Sequence, residues 1–314
     1  MIFNKNEQGS EELYRLSGTF QAATDFHAIE AEIESATQEV ASIVGSGIVE
    51  KAQEIYDDAS RSDEEENFLL AVQRPVAYLA ISRYARLTGL SHGDTGRKIK
   101  ADDNEKIPFE WMIDRDDREM RERYFRALDT LFSLLESSAE VESWSEAWES
   151  SDIRTLISAL IVKKLGDVER VYPLEHSRYM FYLLSPIMLE VQQTKLRDIV
   201  GDERLQKLVD GDESVQNIRN QAIRYTVLRA MVTAVQRWSV EVFPLAVARR
   251  FHPSYQGNKD SRLASTAEME WFIDKLELQI KDAALELQTA IAGNPYEGMD
   301  LVPENSPRNK YFTV

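Results

Sequence analysis

The sequence predicts an all-α protein made of two tandem related helical-bundle units with extended loops and terminal arms. Three observations lead there. Apolar residues recur at steps of three and four through most of the chain, the period of a buried helical face. Stretches rich in Gly, Pro, Asp and Ser separate these segments and read as loops. The order of segments and loops then repeats once, as a tandem duplication would leave it. Composition sets the boundaries: an N-terminal arm over 1–24, a first unit over 25–140, a connector over 141–172, a second unit over 173–293 and an extended tail over 294–314.

The first 24 residues are polar and contain Gly9 and Gly18, so they read as a loosely docked arm with a short amphipathic piece at Glu11 to Leu16. Ile29, Ile33, Ala36, Val40, Ile43 and Val44 then lie on one helical face, which Gly45 and Gly47 should terminate. A short helix over Ile48 to Tyr56 follows, and after a solvated acidic run a long one begins at Phe68. Pro75 lies within that helix; it removes a backbone donor and predicts a kink. The loop SHGDTGRKIKADDNEK predicts a projecting arm or hairpin. Asp114, Asp116 and Asp117 are expected at the start of the next helix, which carries Met120, Tyr124, Leu128, Leu131 and Leu135 on its apolar face.

Trp144 and Trp148, four apart, predict one face of a short helix that packs between the two units. Ile153 to Val171 is apolar, but periodicity alone leaves helix and strand open there. In the second half Leu189, Leu196, Ile199 and Val200 repeat the face of Ile33, Val40, Ile43 and Val44. Gly201 follows Gly45 by 156 residues, Arg224 follows Arg74 by 150, and Met269 follows Met120 by 149. Offsets that shrink only slightly, in the same order, fit a repeat with trimmed loops.

The chain has 314 residues, 54 acidic and 37 basic, for a formal net charge of −17, and it contains no cysteine. Disulfides and thiolate metal sites are thereby excluded. The negative field opposes sequence-independent binding to phosphate backbones and to anionic lipid. No apolar run is long enough for a membrane span, and the first residues lack the basic and apolar regions of a signal peptide, so the chain is expected to be soluble and made in the cytoplasm.

No local motif points to catalysis. His27, His92, His176 and His252 are scattered without ligand spacing, and no metal or other cofactor is expected. Asp114, Asp116 and Asp117 fit the acidic first turn of a helix better than a cation site. Gly45-Ser46-Gly47 lacks the third glycine of a dinucleotide fingerprint, and no nucleophile elbow occurs. The clearest departure from the acidic field is Arg97, Lys98 and Lys100, which reads either as a partner-contact arm or as an ordinary mobile loop. Its counterpart in the second unit, RRFHPSYQGNKDSR, contributes Arg249, Arg250, Tyr255 and Lys259. Tyr296, Tyr311 and Phe312 are candidate anchors of the tail to a neighbour, against the common alternative of a disordered terminus.

The run LAVQRPVAYLAISRYARL, the loop SHGDTGRKIK, the segment EKIPFEWMIDRDDREMRERYFRALDTLFSLLE and the later YPLEHSRYMFYLLSPIMLEV resemble a family of virion-associated proteins from phages and prophages of Bacteroides-type bacteria. The resemblance spans about Ala31 to Val191 and is strongest over Gln73 to Leu135. In helix pattern the chain is also similar, more distantly, to the all-helical head-tail connector proteins that form rings beneath the portal. The resemblance implies a homo-oligomeric ring in the neck of the particle, assembled in the host cytoplasm, touching portal and tail proteins, through which DNA passes without specific binding. It brings no catalytic residues. A cytoplasmic helical adaptor that binds one protein partner is the alternative reading, and an enzyme is a third.

Overall fold

A computed structural model of the chain describes residues 1–21, 23–88, 90–93, 96–99, 109–137, 143–238, 241–243, 246–248 and 266–293. The all-α class is correct: the described residues form helices, with two small antiparallel ladders between long helices.

The first half begins with α1 (Gly9–Ser17) and continues through α2 (Glu30–Val44), α3 (Ser46–Asp57) and α4 (Asp63–Thr88). Strands β1 (Leu90–Gly93) and β2 (Gly96–Ile99) pair antiparallel, with Leu90 opposite Ile99, and α5 (Glu110–Ser137) follows. Three short helices come next: α6 (Ser145–Glu149), α7 (Asp152–Ser158) and α8 (Leu165–Glu169). The helix α9 (Arg178–Val191) runs through a π-helical turn at Gln192–Leu196 into α10 (Arg197–Val200). Then come α11 (Asp202–Asp210), α12 (Gln216–Trp238), the paired strands β3 (Glu241–Phe243) and β4 (Ala246–Ala248), and α13 (Thr266–Ala292).

The order helix, glycine break, short helix, long helix, two-stranded ladder, long helix thus occurs twice. Gly45 closes α2 at φ 102° and Gly201 closes α10 at φ 78°, both backbone conformations that a Cβ disfavours. The long antiparallel pairs are α4 with α5 and α12 with α13. Both halves feed one contiguous buried cluster, so the connector does not separate two independent cores.

Several expectations are corrected. The N-terminal segment is not a loose arm: Ile2, Phe3, Leu13 and Phe20 are buried, and Gln73 Nε2 donates to the Ile2 carbonyl across 2.6 Å. Lys5 caps the end of α3, its Nζ donating to the carbonyls of Tyr56, Asp57 and Asp58. These contacts offset the chain entropy that normally keeps a terminus free. Gly47 lies inside α3 rather than ending α2. The helix α4 continues past Pro75, which is buried within it. The segment left open between helix and strand is resolved into α7 and α8, joined by the fully buried Leu160, Ile161 and Val162. That link is not helical, yet its backbone is satisfied: the Ile161 N–H donates to Gln192 Oε1 at 2.8 Å and Gln192 Nε2 donates to the Ala159 carbonyl at 2.8 Å.

Candidate interaction surfaces

The acidic cluster does not open its helix, because α5 begins at Glu110 and places Asp114, Asp116 and Asp117 in its second turn. There Asp117 accepts from Arg86 Nε of α4 at 3.1 Å and braces the helix pair. Among the described residues no group of His, Asp or Glu could hold a metal ion. The tryptophans are both buried. Trp144 stacks on Phe68 with centroids 4.4 Å apart, while Trp148 touches Phe132 of α5 at 6.1 Å and meets Tyr182 of α9 edge-on at 6.0 Å. Trp148 therefore packs between the halves, and Trp144 packs within the first.

Arg97 and Lys98 lie on β2, where Arg97 pairs with His92 and Lys98 with Ser91, so the basic loop is a hairpin over these positions. Lys100, Arg249, Arg250, Tyr255 and Lys259 lie outside the described residues, as do Tyr296, Tyr311 and Phe312.

The junction of the halves holds a connected polar site. Ser177 caps α9, its hydroxyl accepting from the Met180 N–H. Asp129 on α5 reaches the same helix end, where its Oδ1 accepts from the Tyr179 N–H at 2.8 Å and from the Ser177 hydroxyl at 3.3 Å. One turn or two further along, Glu136 accepts from Arg178 Nε at 2.9 Å and from the Tyr182 hydroxyl at 2.7 Å. Phe125 stacks on Tyr179 at 5.4 Å and Phe132 packs on Tyr182 at 4.3 Å. Burial pushes the Asp129 carboxyl above the ordinary aspartate range, although the Tyr179 and Ser177 donors favour its charged form. Burial, with the Glu136 charge beside it, also raises Tyr182. This arrangement orients α9 against α5.

A groove at Lys163, Lys164, Arg170 and Arg219 concentrates positive charge, but Arg219 is committed to the Leu208 and Ile161 carbonyls and Arg170 to Asp167. The guanidinium groups there complete the fold.

Two places leave large apolar side chains in solvent. At the start of α5, Phe109, Trp111, Met112 and Ile113 are 68%, 55%, 42% and 47% exposed, and Leu87 at the end of α4 is 53% exposed. Along α13, Trp271, Leu278 and Leu285 are 62%, 54% and 65% exposed. Monomeric proteins seldom display contiguous apolar patches of this kind without a partner. The sequence reading named neither group; the seven-residue spacing of Trp271, Leu278 and Leu285 was the available signal. No helix among the described residues is long and apolar enough to cross a membrane. Comparison of the chain with protein-family models, with curated proteins and with solved structures finds no match.

Proposed function

We propose that this chain is a structural virion protein of a tailed phage, a subunit of the head-tail connector or neck ring that joins portal and tail and forms part of the DNA channel. The observation that carries the reading is the apolar end of the α4–α5 pair, where Phe109, Trp111, Met112 and Ile113 stand in solvent at the helix that follows the β1–β2 hairpin. These four exposed apolar residues fall within five consecutive positions and point to more than one side of the helix start, so they suit enclosure by a neighbour better than docking on a flat face. Arg97 and Lys98 lie on the hairpin that precedes α5 in the chain, in a protein whose net charge is −17. A second acidic copy is a complementary partner for such an arm.

The resemblance over Gln73 to Leu135 supports the phage assignment, and the repeated order of elements supports reading the halves as a duplicated helical unit. In a ring, acidic side chains facing the channel would keep DNA from adhering during packaging and ejection. The subunit would assemble in the host cytoplasm and end in the particle neck.

Two measurements test the proposal. Native mass measurement and electron microscopy of the full-length chain are expected to give a closed ring, alone or with the portal protein, and peptide mass spectrometry of purified particles is expected to find the chain. A stable small oligomer that never enters particles would instead establish the cytoplasmic adaptor. A ring with a basic lumen would remove the role given to the acidic charge.

A further inference from the structure

The helix α13 presents a face that the rest of the described chain does not cover. It buries Leu276, Ile280, Ala283 and Leu287 toward α12, while Trp271, Leu278 and Leu285 project from the opposite side. These three side chains are seven residues apart, so they form one line spanning about 21 Å of helix. Lys275 lies over the Trp271 ring, with Nζ 5.9 Å from its centroid, and keeps its charge at the edge of the line.

The first half shows what this face does elsewhere in the fold. With the offset that aligns Met120 and Met269, the α5 residues holding α9 are Phe125, Asp129, Phe132 and Glu136, and their α13 counterparts are Asp274, Leu278, Lys281 and Leu285. A helix docks here on α5. On α13 the two carboxylates that receive the N-terminal turn of α9 are replaced by leucines, so another helix end would find no acceptors for its amides. The replacement suits an apolar face of another helix laid alongside.

The charges beside the line indicate which helix. Asp274 and Lys281 run along one flank, and Lys275 and Asp282 along the other. When two such helices pair antiparallel about Leu278, each flank meets its own copy. Asp274 then faces Lys281 of the partner subunit, Lys275 faces Asp282 of the partner subunit, and Trp271 packs on Leu285 of the partner subunit. Antiparallel pairing also sets opposite helix dipole ends together. We propose that α13 is a self-association surface through which two copies of this chain pair antiparallel about Leu278.

Such a contact is isologous and closes at two copies, so it differs from the heterologous contact that a ring requires. It does not rest on the neck reading, because pairing is measured on the purified chain and the neck reading on particles.

The absence of cysteine makes the geometry directly testable. The full-length chain is expected to sediment as a dimer at micromolar concentration. Leu278→Asp should weaken pairing at least about tenfold, with the thermal midpoint of the monomer unchanged. Lys281→Asp should weaken pairing, and Asp274→Lys combined with Lys281→Asp should restore it. Under mild oxidation, Leu278→Cys should give a disulfide-linked dimer. Trp271→Cys and Leu285→Cys should each give none alone and a linked heterodimer when mixed. A chain that stays monomeric up to about 100 μM, an association that Leu278→Asp leaves intact, or efficient linkage of Trp271→Cys to itself would each overturn the proposal. So would a monomer destabilised by Leu278→Asp, since the face would then be covered by the chain itself.

Discussion

The backbone N–H of Tyr179 donates to Oδ1 of Asp129 across 2.8 Å, so a carboxylate from α5 caps the first turn of α9 and ties the two halves together. An acceptor at a helix N-terminus satisfies an orphan amide and opposes the positive end of the dipole. Burial of the same carboxyl has the opposite effect on its charge and raises its pKa.

The balance at Asp129 predicts a pH dependence. Its folded pKa lies above its unfolded one, so folding takes up protons at this group, and the associated stability is fully present below the unfolded value and lost as pH rises through the folded one. Asp129→Asn keeps an acceptor for Tyr179 and removes the charge. Thermal melts should show the variant matching the parent at pH below the ordinary aspartate range and gaining relative to it as pH rises above that range. A gain that shrinks with rising pH would show that the ionised form is the better capped one.

Gln192 is 3% exposed and sits at the π-helical turn, where its amide serves both Ile161 and Ala159. Replacing it by alanine strands the buried Ile161 donor and leaves the Ala159 carbonyl to water. Urea denaturation of Gln192→Ala should report a loss of about 1–3 kcal/mol.

Gly9 has no room for a side chain. A Cβ there would stand 2.3 Å from the Phe26 ring, and Phe26 is itself buried. Gly9→Ala should cost about 1–3 kcal/mol through overpacking. Gly9→Ala combined with Phe26→Leu should recover part of that loss, and an unchanged melting temperature in the single variant would mean that the N-terminal segment does not stay docked.

Arg229 of α12 donates from Nη1 to Glu277 of α13 at 2.7 Å, while its Nε is buried without a partner among the described residues. Glu277→Ala would leave a half-buried guanidinium uncompensated. The expected cost is about 1–2 kcal/mol, and Arg229→Met with Glu277→Leu should return most of it. Chemical denaturation of the single and double variants measures both.

Local features were legible because they depend on near neighbours in sequence. The faces of α2 and α5 follow from apolar residues three and four apart, and the glycine breaks at Gly45 and Gly201 follow from their backbone freedom. The hairpin over Leu90 to Ile99 was foreseen as one of two options, whereas the ladder of β3 and β4 was not. The N-terminal segment misled because its polar composition masks Ile2, Phe3, Leu13 and Phe20, and only their burial against distant helices reveals its place. The partner-contact arms and tail anchors fall mostly outside the described residues, so of those expectations only the backbone of Arg97 and Lys98 is located.

By itself the sequence determined the helical class, the acidic charge and the lack of thiol chemistry, since all of these reside in residue type and short-range spacing. The tertiary structure alone decided which helical faces are covered. The helices α5 and α13 carry comparable apolar faces, yet α9 packs over Asp129 and Glu136 on the first and leaves Leu278 and Leu285 exposed on the second. That difference comes from contacts between residues about fifty positions apart. A periodic pattern identifies the face turned toward a core, but what lies against the other face depends on where the rest of the chain has gone.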